Sequence, residues 1–334
     1  MNRLTLALAA GLGLATPALA QDAPKCELDR PVMFGSLNWD SAQFHGAVAK
    51  YILENGYGCE TDSIPGDTIP LINGVARGDA DLVMEIWTAN PAQAWVDAEA
   101  AGQTVALGTT FPDASEGWFV PTAMVSGPDA VAPELKSVTD LVKYKDLFAD
   151  PEEPGKGRFY NCPAGWQCEI VNSKKLQAYG LADAFTNFRP GTGEALDAAA
   201  ETGSLRSKPT LFYYWGPTWL LGQYDFTRLE EPAFNKAKWE AMMAADQPTE
   251  ATAYPDSKVV IGANKAFTEA APKLAEFLRA YSSTSAATSA MLAYMRENKA
   301  SADDAAVQFL KTSDDWTGWV PADVAERVKA ALGT

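Results

Sequence analysis

The first part of the chain alternates between apolar runs that are typical of strands and longer segments with helical spacing. The three strand-like runs lie at positions 31–39, 59–64 and 80–87. Apolar residues recur at helical spacing after Asp40 or Ser41, and a second helix is predicted to begin at Asp67 or Thr68. This order is typical of a parallel sheet, in which ligands gather at the carboxyl ends of the strands.

The second part of the chain repeats this alternation. Strands followed by loops are predicted at 157–168, 185–193 and 209–217, and helices at 169–181 and 194–205. From position 256 onward, one strand and several helices complete the chain. The pattern predicts an α/β fold with two similar units, joined by short crossings because no low-complexity linker separates them.

One apolar run between these units does not fit a central strand. The run at 117–125 contains Pro121, which cannot donate a hydrogen bond to a neighbouring strand. We therefore expect an edge strand or a connection here, followed by loops around a short helix over 126–158.

Residues 1–20 have the pattern of a secretory signal peptide. Arg3 precedes an apolar stretch that is too short to span a bilayer, and the small residues Ala18 and Ala20 are typical of a cleavage site. Cleavage there predicts a free periplasmic protein that begins near Gln21. No later run is apolar enough to cross a membrane, and the remaining length predicts roughly two domains.

Four cysteines in an exported chain predict two disulfides. Cys162 and Cys168 flank a short loop that a disulfide would close, which leaves Cys26 to pair with Cys59. A metal site is the alternative, although the spacing matches no common zinc pattern and the only histidine, His45, is distant in sequence.

Charge and motifs limit the classes of function. The formal net charge of −16 argues against nucleic acid and favours cations or neutral molecules as partners, although solubility alone would also explain it. The chain has one histidine and no nucleophile-elbow, P-loop or metalloprotease motif. The sequence therefore predicts neither an enzyme nor a cofactor.

Tryptophan is the residue that most suggests a binding site. The chain has ten, and five of them lie at predicted strand ends or in the loops beside them, namely Trp39, Trp87, Trp118, Trp166 and Trp215. Any one of these could equally be a core residue. Together they fit an aromatic cage, because aromatic faces attract alkylated ammonium groups by about 0.5 to 2 kcal/mol each.

Three segments resemble one known family. "GDADLVMEIW", "NCPAGWQCEIVNSKKLQAYGL" and "LFYYWGPTWLLGQYDFTRLEEP" are similar to motifs of the glycine betaine/proline betaine substrate-binding proteins of ABC importers, which include choline and trimethylamine N-oxide binders. The similarity spans about residues 30 to 320. It implies a monomeric, hinged periplasmic binding protein of type II with its ligand cleft between two lobes, at 26–122 plus 257–334 and at 123–256. The partner would be an inner-membrane ABC permease.

The resemblance also implies a binding site. The cage tryptophans of the family correspond to Trp87, Trp166 and Trp215, with Trp39 in a position that choline-type members use and Trp118 near another aromatic wall. The backbone N–H groups of Gln167 and Cys168 are candidates for holding a carboxylate. The sequence leaves open whether His45 or Glu116 contacts the ligand.

Glu85 bears on the identity of the ligand. It lies two residues before Trp87 on the same predicted strand, so both side chains face the same side. A carboxylate at Glu85 would repel the carboxylate of betaine, but it could neutralise the cation of choline. Once protonated, it could donate a hydrogen bond to the oxygen of trimethylamine N-oxide. We therefore expect a methylated-amine osmolyte, in the order trimethylamine N-oxide, glycine betaine and choline. The alternative from another class is an exported sugar-binding or hydrolytic protein, since tryptophans also stack on sugars and two carboxylates suffice for glycoside hydrolysis.

Overall fold

The computed structural model describes residues 24–89 and 91–334 and shows a mixed sheet surrounded by helices. The strands are β1 (Val32–Leu37), β2 (Thr61–Gly66), β3 (Leu82–Trp87), β4 (Thr104–Pro121), β5 (Gly157–Tyr160), β6 (Phe185–Phe188), β7 (Leu211–Gly216), β8 (Phe226–Arg228) and β9 (Ser257–Asn264). The helices are α1 (Asp40–Tyr57), α2 (Thr68–Arg77), α3 (Gln93–Ala100), α4 (Thr122–Val125), α5 (Gln167–Ala178), α6 (Gly193–Leu205), α7 (Trp219–Gln223), α8 (Lys236–Ala244), α9 (Lys265–Ala270), α10 (Pro272–Ala280), α11 (Ser285–Asn298), α12 (Ala302–Thr312) and α13 (Ala322–Leu332). Two 3₁₀ segments lie at Val138–Phe148 and Asp315–Trp319.

The sheet has two halves that share one strand. Its order is β2-β1-β3-β9-β4-β7-β5-β6, and β8 pairs with β4 beside this path. In the first half, β1 pairs in parallel with β2 and β3, as the alternating pattern predicts, and β9 joins β3 in the antiparallel direction. In the second half, β5 pairs in parallel with β6 and β7. The predicted α/β fold is therefore present, with antiparallel neighbours added at the centre.

The shared strand β4 corrects the expectation for the run at 117–125. Instead of an edge or a connection, β4 is an 18-residue central strand that pairs with β9 in the first half and with β7 and β8 in the second. Pro121 is its last residue, so the missing N–H falls where the ladder ends. The strand and β9 carry the chain between the two halves. The exact lobe boundaries at 122 and 257 stay a prediction.

Both predicted disulfides are present. Cys26 is bonded to Cys59, with the two Cα atoms 4.7 Å apart, and Cys162 is bonded to Cys168, with the Cα atoms 6.0 Å apart. All four cysteines are therefore unavailable as metal ligands. In the part of the chain that the structure describes, no group of three or more His, Cys, Asp or Glu side chains is arranged to hold a metal ion.

The predicted signal peptide, residues 1–20, lies outside the described residues. Among the described residues, no helix is long and apolar enough to cross a membrane.

His45, the only histidine in the sequence, is fully buried between Tyr281 and Thr288, and burial lowers the pKa of its imidazole to about 3. It is a core residue.

Candidate functional site

A cavity lies where the two halves of the sheet meet, at the carboxyl ends of four strands. Trp39 and Trp87 follow or end β1 and β3, while Trp166 and Trp215 follow or lie near the end of β5 and β7. All four indoles line this one cavity, which has a volume of about 540 Å³ including its mouth. The alternation of strands and helices thus gathers residues that are far apart in sequence.

The tryptophan rings stand at steep angles to one another. The ring centroids of Trp39 and Trp166 are 4.9 Å apart at an interplanar angle of 63°, and those of Trp166 and Trp215 are 5.4 Å apart at 76°. Trp215 in turn stacks on Tyr214, with centroids 4.6 Å apart. Edge-to-face packing fixes each ring and leaves several faces directed at one volume. Such a box suits a compact cation with apolar substituents, and burial of the rings strengthens the attraction.

Glu85 also lines the cavity and forms hydrogen bonds with two of the tryptophans. Its Oε2 atom accepts hydrogen bonds from the indole Nε1–H of Trp39 at 2.8 Å and of Trp87 at 3.2 Å. Its Oε1 atom is buried and accepts no hydrogen bond of standard geometry from the described residues, although Ser41 lies close to the carboxyl group. Burial raises the pKa of Glu85 to about 7, and the polar groups of Ser41, Trp39 and Trp87 oppose this rise.

The two indole donors determine where a proton on Glu85 would be. Because Oε2 already accepts two N–H groups, protonation places the O–H on Oε1. The protonated carboxyl group would then be a buried donor at the wall of the cavity that Glu85 lines. A ligand oxygen that accepts this hydrogen bond would relieve an unsatisfied buried group, which ordinarily costs about 1–3 kcal/mol.

A second carboxyl group, Glu116, lines the cavity from the opposite half. It lies on β4 directly across from Trp215 of β7, and it accepts a hydrogen bond of 2.6 Å from the hydroxyl of Tyr213. The sequence left its role open, because nothing in the pattern showed that β4 is central. No Lys, Arg or His is among the described residues that line the cavity. The site therefore suits a ligand that carries a positive charge on an apolar group.

Trp118 is the one predicted cage residue that the structure places elsewhere. It is fully buried, packs 4.3 Å from Phe159 between ring centroids, and donates from Nε1 to Oδ1 of Asn172 at 2.8 Å. It lies on the same face of β4 as Glu116 but opposite Tyr213, which is two residues farther than Trp215 from the carboxyl end of β7. Its ring packs in the core of the second half and does not line the cavity.

Gln167 and Cys168 line the cavity at the beginning of α5. The first N–H groups of a helix have no partner within the helix, so this end can receive a negative group. The loop before it is closed by the disulfide of Cys162 and Cys168 and contains Gly165, whose φ of +94° favours glycine. This loop presents Trp166 to the cavity.

Several further residues line the cavity without having been predicted. They are small, aliphatic or hydroxyl-bearing side chains on elements beside the tryptophans, namely Thr68, Ile72, Ile86, Pro91, Ala92 and Tyr213. Strand alternation is the only available signal, and it applies to Tyr213, two residues before Trp215. The others lie on α2, on β3 and in the loop before α3, and their positions depend on how these elements pack together.

Comparisons with known proteins agree with this architecture. A trimethylamine N-oxide-binding protein of Pelagibacter ubique (strain HTCC1062) is 22% identical over 321 residues, which cover 95% of this chain and 98% of that protein. The glycine betaine/proline betaine-binding periplasmic protein of Escherichia coli (strain K12) is 26% identical over 240 residues, or 69% of each chain. The crystal structure of a glycine betaine, L-proline ABC transporter binding protein from Borrelia burgdorferi matches with a TM-score of 0.71 and 18% identity, over 90% of this chain and 100% of that one.

The fold is thus that of a two-lobed periplasmic binding protein, as the resemblance implied. The family described as the substrate binding domain of ABC-type glycine betaine transport systems matches residues 30–312. The proteins of this family are substrate-binding components of ABC transporters, which are not enzymes. Because the match covers most of the sequence, this chain belongs to the family of substrate-binding domains of ABC-type glycine betaine transport systems.

Proposed function

We propose that this protein captures trimethylamine N-oxide in the periplasm and delivers it to an inner-membrane ABC permease. Trp39, Trp87, Trp166 and Trp215 surround the trimethylammonium group, and the oxygen of the ligand accepts the hydrogen bond from Glu85. The protein acts as a monomer without a cofactor. The Pelagibacter relative, which the comparison extends over nearly the whole chain, supports the same ligand.

The observation that carries this choice is the unpartnered Oε1 of Glu85. Trimethylamine N-oxide has no net charge, a methylated cationic nitrogen and a single oxygen that only accepts hydrogen bonds. A protonated Glu85 supplies one buried donor and adds no net charge, so it matches the single acceptor oxygen of the ligand. The aromatic faces receive the three methyl groups.

Glycine betaine is the second candidate, and one observation favours it. Its carboxylate could bind the N–H groups of Gln167 and Cys168 at the beginning of α5. The same carboxylate would, however, share the cavity with Glu85 and Glu116 and without a basic side chain. Choline, with a full positive charge and a hydroxyl group, would gain from an ionised Glu85.

Glu85→Gln tests the choice through its dependence on pH. A neutral amide reproduces the protonated acid, because its oxygen can accept from both indoles while its NH₂ donates into the cavity. We expect the wild-type affinity for trimethylamine N-oxide to fall about tenfold per pH unit above pH 7, where Glu85 ionises. The variant should bind with an affinity close to the wild-type value at pH 6 and should keep it at pH 9.

Isothermal titration calorimetry between pH 6 and pH 9 measures both affinities. Choline should show the opposite trend in the wild-type protein, binding more tightly as Glu85 ionises. Glu326→Gln, at a side chain that is 76% exposed, is the matched control and should leave every affinity unchanged. A wild-type affinity for trimethylamine N-oxide that is constant over this range, together with a large loss in Glu85→Gln, would show that the carboxylate form is the one that binds.

A further inference from the structure

Asn38 connects the two halves of the protein just outside the cage. Its Oδ1 accepts a hydrogen bond of 2.8 Å from Nε1–H of Trp166, and its Nδ2 donates one of 2.8 Å to Oδ1 of Asp67. Asn38 and Asp67 follow β1 and β2 in the first half, whereas Trp166 follows β5 in the second. A single amide therefore joins a wall of the cage to the other half of the molecule.

The chemistry of the three groups determines the orientation of this amide. A carboxylate only accepts hydrogen bonds and an indole N–H only donates them. Nδ2 of Asn38 must therefore face Asp67, and Oδ1 must face Trp166. Asp67 immediately precedes α2, so the amide is held by a helix end that belongs to the first half.

Other contacts hold Trp166 at the same place. The backbone N–H of Ile69 donates to the carbonyl of Gly165 at 3.4 Å, which is a second bond between the halves. A Cβ atom at Gly193 would lie only 3.2 Å from Cη2 of Trp166 and 3.7 Å from the backbone oxygen of Asn38. The beginning of α6 therefore packs against the edge of the indole, whose Nε1–H donates to Asn38.

We propose that Asn38 is a positioning residue that holds Trp166 at its angle across the two halves. It does not line the cavity itself. Its hydrogen bond sets the angle of Trp166 against Trp39 and Trp215, so the cage keeps its binding geometry only while this bond is made. The inference rests on the proposed function, since it concerns the same ligand site.

A double-mutant cycle tests this role. Asn38→Ala removes the acceptor, and Trp166→Phe keeps an aromatic face while removing the donor. Loss of this hydrogen bond should weaken binding of trimethylamine N-oxide about tenfold in either variant, mainly through faster dissociation. The double variant should be no weaker than the weaker single variant, because both changes remove the same bond.

Two controls separate positioning from a general loss of structure. Asn298→Ala removes an exposed amide that bonds only within its helix, and it should leave affinity and dissociation rate unchanged. Asp67→Asn keeps a side-chain oxygen that can accept from Asn38, so it should retain most of the affinity. The melting temperature of ligand-free Asn38→Ala should stay close to that of the wild-type protein.

NMR of the ligand-free protein tests the hydrogen bond between Asn38 and Trp166 without reference to the proposed ligand. In ¹⁵N-labelled protein, the indole signal of Trp166, assigned by its loss in Trp166→Phe, should move in Asn38→Ala. An unmoved signal, or an Asn38→Ala protein with wild-type dissociation, would overturn the inference. If wild-type protein bound no methylated amine, the proposed function would be wrong, while the indole signal would still decide whether Asn38 holds Trp166.

Discussion

Trp166→Ala should weaken binding of the methylated amine about 100-fold. One aromatic face contributes about 0.5 to 2 kcal/mol, and tenfold in affinity corresponds to 1.4 kcal/mol. Trp166 is expected at or above the upper end, because its ring contacts both Trp39 and Trp215 and its loss would loosen two further walls. Trp215→Ala should cost about tenfold, because its ring contacts Trp166 and otherwise packs on Tyr213 and Tyr214, so its loss loosens one further wall.

Calorimetric titration of both variants, with circular dichroism to confirm folding, measures these losses. Phe234→Ala is the control, because this aromatic side chain is 43% exposed and lies outside the cavity. It should bind like the wild-type protein. A folded Trp166→Ala variant with unchanged affinity would mean that the indoles are packing residues and that the ligand binds elsewhere.

Removal of either disulfide should lower the stability of the protein, but only one of the two removals should also lower its affinity for the ligand. Cys26 and Cys59 are 33 positions apart, and loop entropy predicts that replacing both with serine lowers the free energy of unfolding by about 4 kcal/mol. Cys162 and Cys168 are six apart, so the same replacement there should cost about 2 kcal/mol. Only the second bond closes the loop that carries Trp166 and Gln167. We expect its loss to reduce affinity at least tenfold, and loss of the first bond to leave affinity intact.

Urea unfolding and ligand titration of the two double-serine variants at one temperature separate these effects. Each variant is the matched control for the other, because both lose one disulfide of the same protein. Equal loss of affinity in both variants would contradict a specific role of the 162–168 loop. A larger loss of stability at the shorter loop would contradict the entropic account.

Four of the five tryptophans that the sequence singles out line one cavity, because strand ends can be read from a hydrophobic pattern. Trp39, Trp87, Trp166 and Trp215 lie at or shortly after the ends of strands that the pattern predicts. Trp118 lies in the core instead, because the pattern does not give the register between β4 and β7. Pro121 suggests an edge strand in the sequence, whereas it ends the long central strand.

Other features of the site depend on distances that no pattern contains. Strand alternation placed Glu85 on the face of Trp87, but only the structure shows that one carboxyl oxygen is shared by two indoles while the other is unpartnered. The position of Glu116 depends on the register between β4 and β7. The contact of Asn38 with Trp166 joins residues 128 positions apart and requires both halves in place.

The central claim is that an aromatic cage binds a methylated amine, and parallel calorimetric titrations test it most directly. The protein from Gln21 onward would be titrated at pH 6.5 with trimethylamine N-oxide, glycine betaine and choline, while tryptophan fluorescence is recorded. We expect trimethylamine N-oxide to bind at micromolar concentration or tighter, corresponding to about 8 kcal/mol, with a change in fluorescence. Absence of heat and of any fluorescence change with all three solutes would contradict the claim.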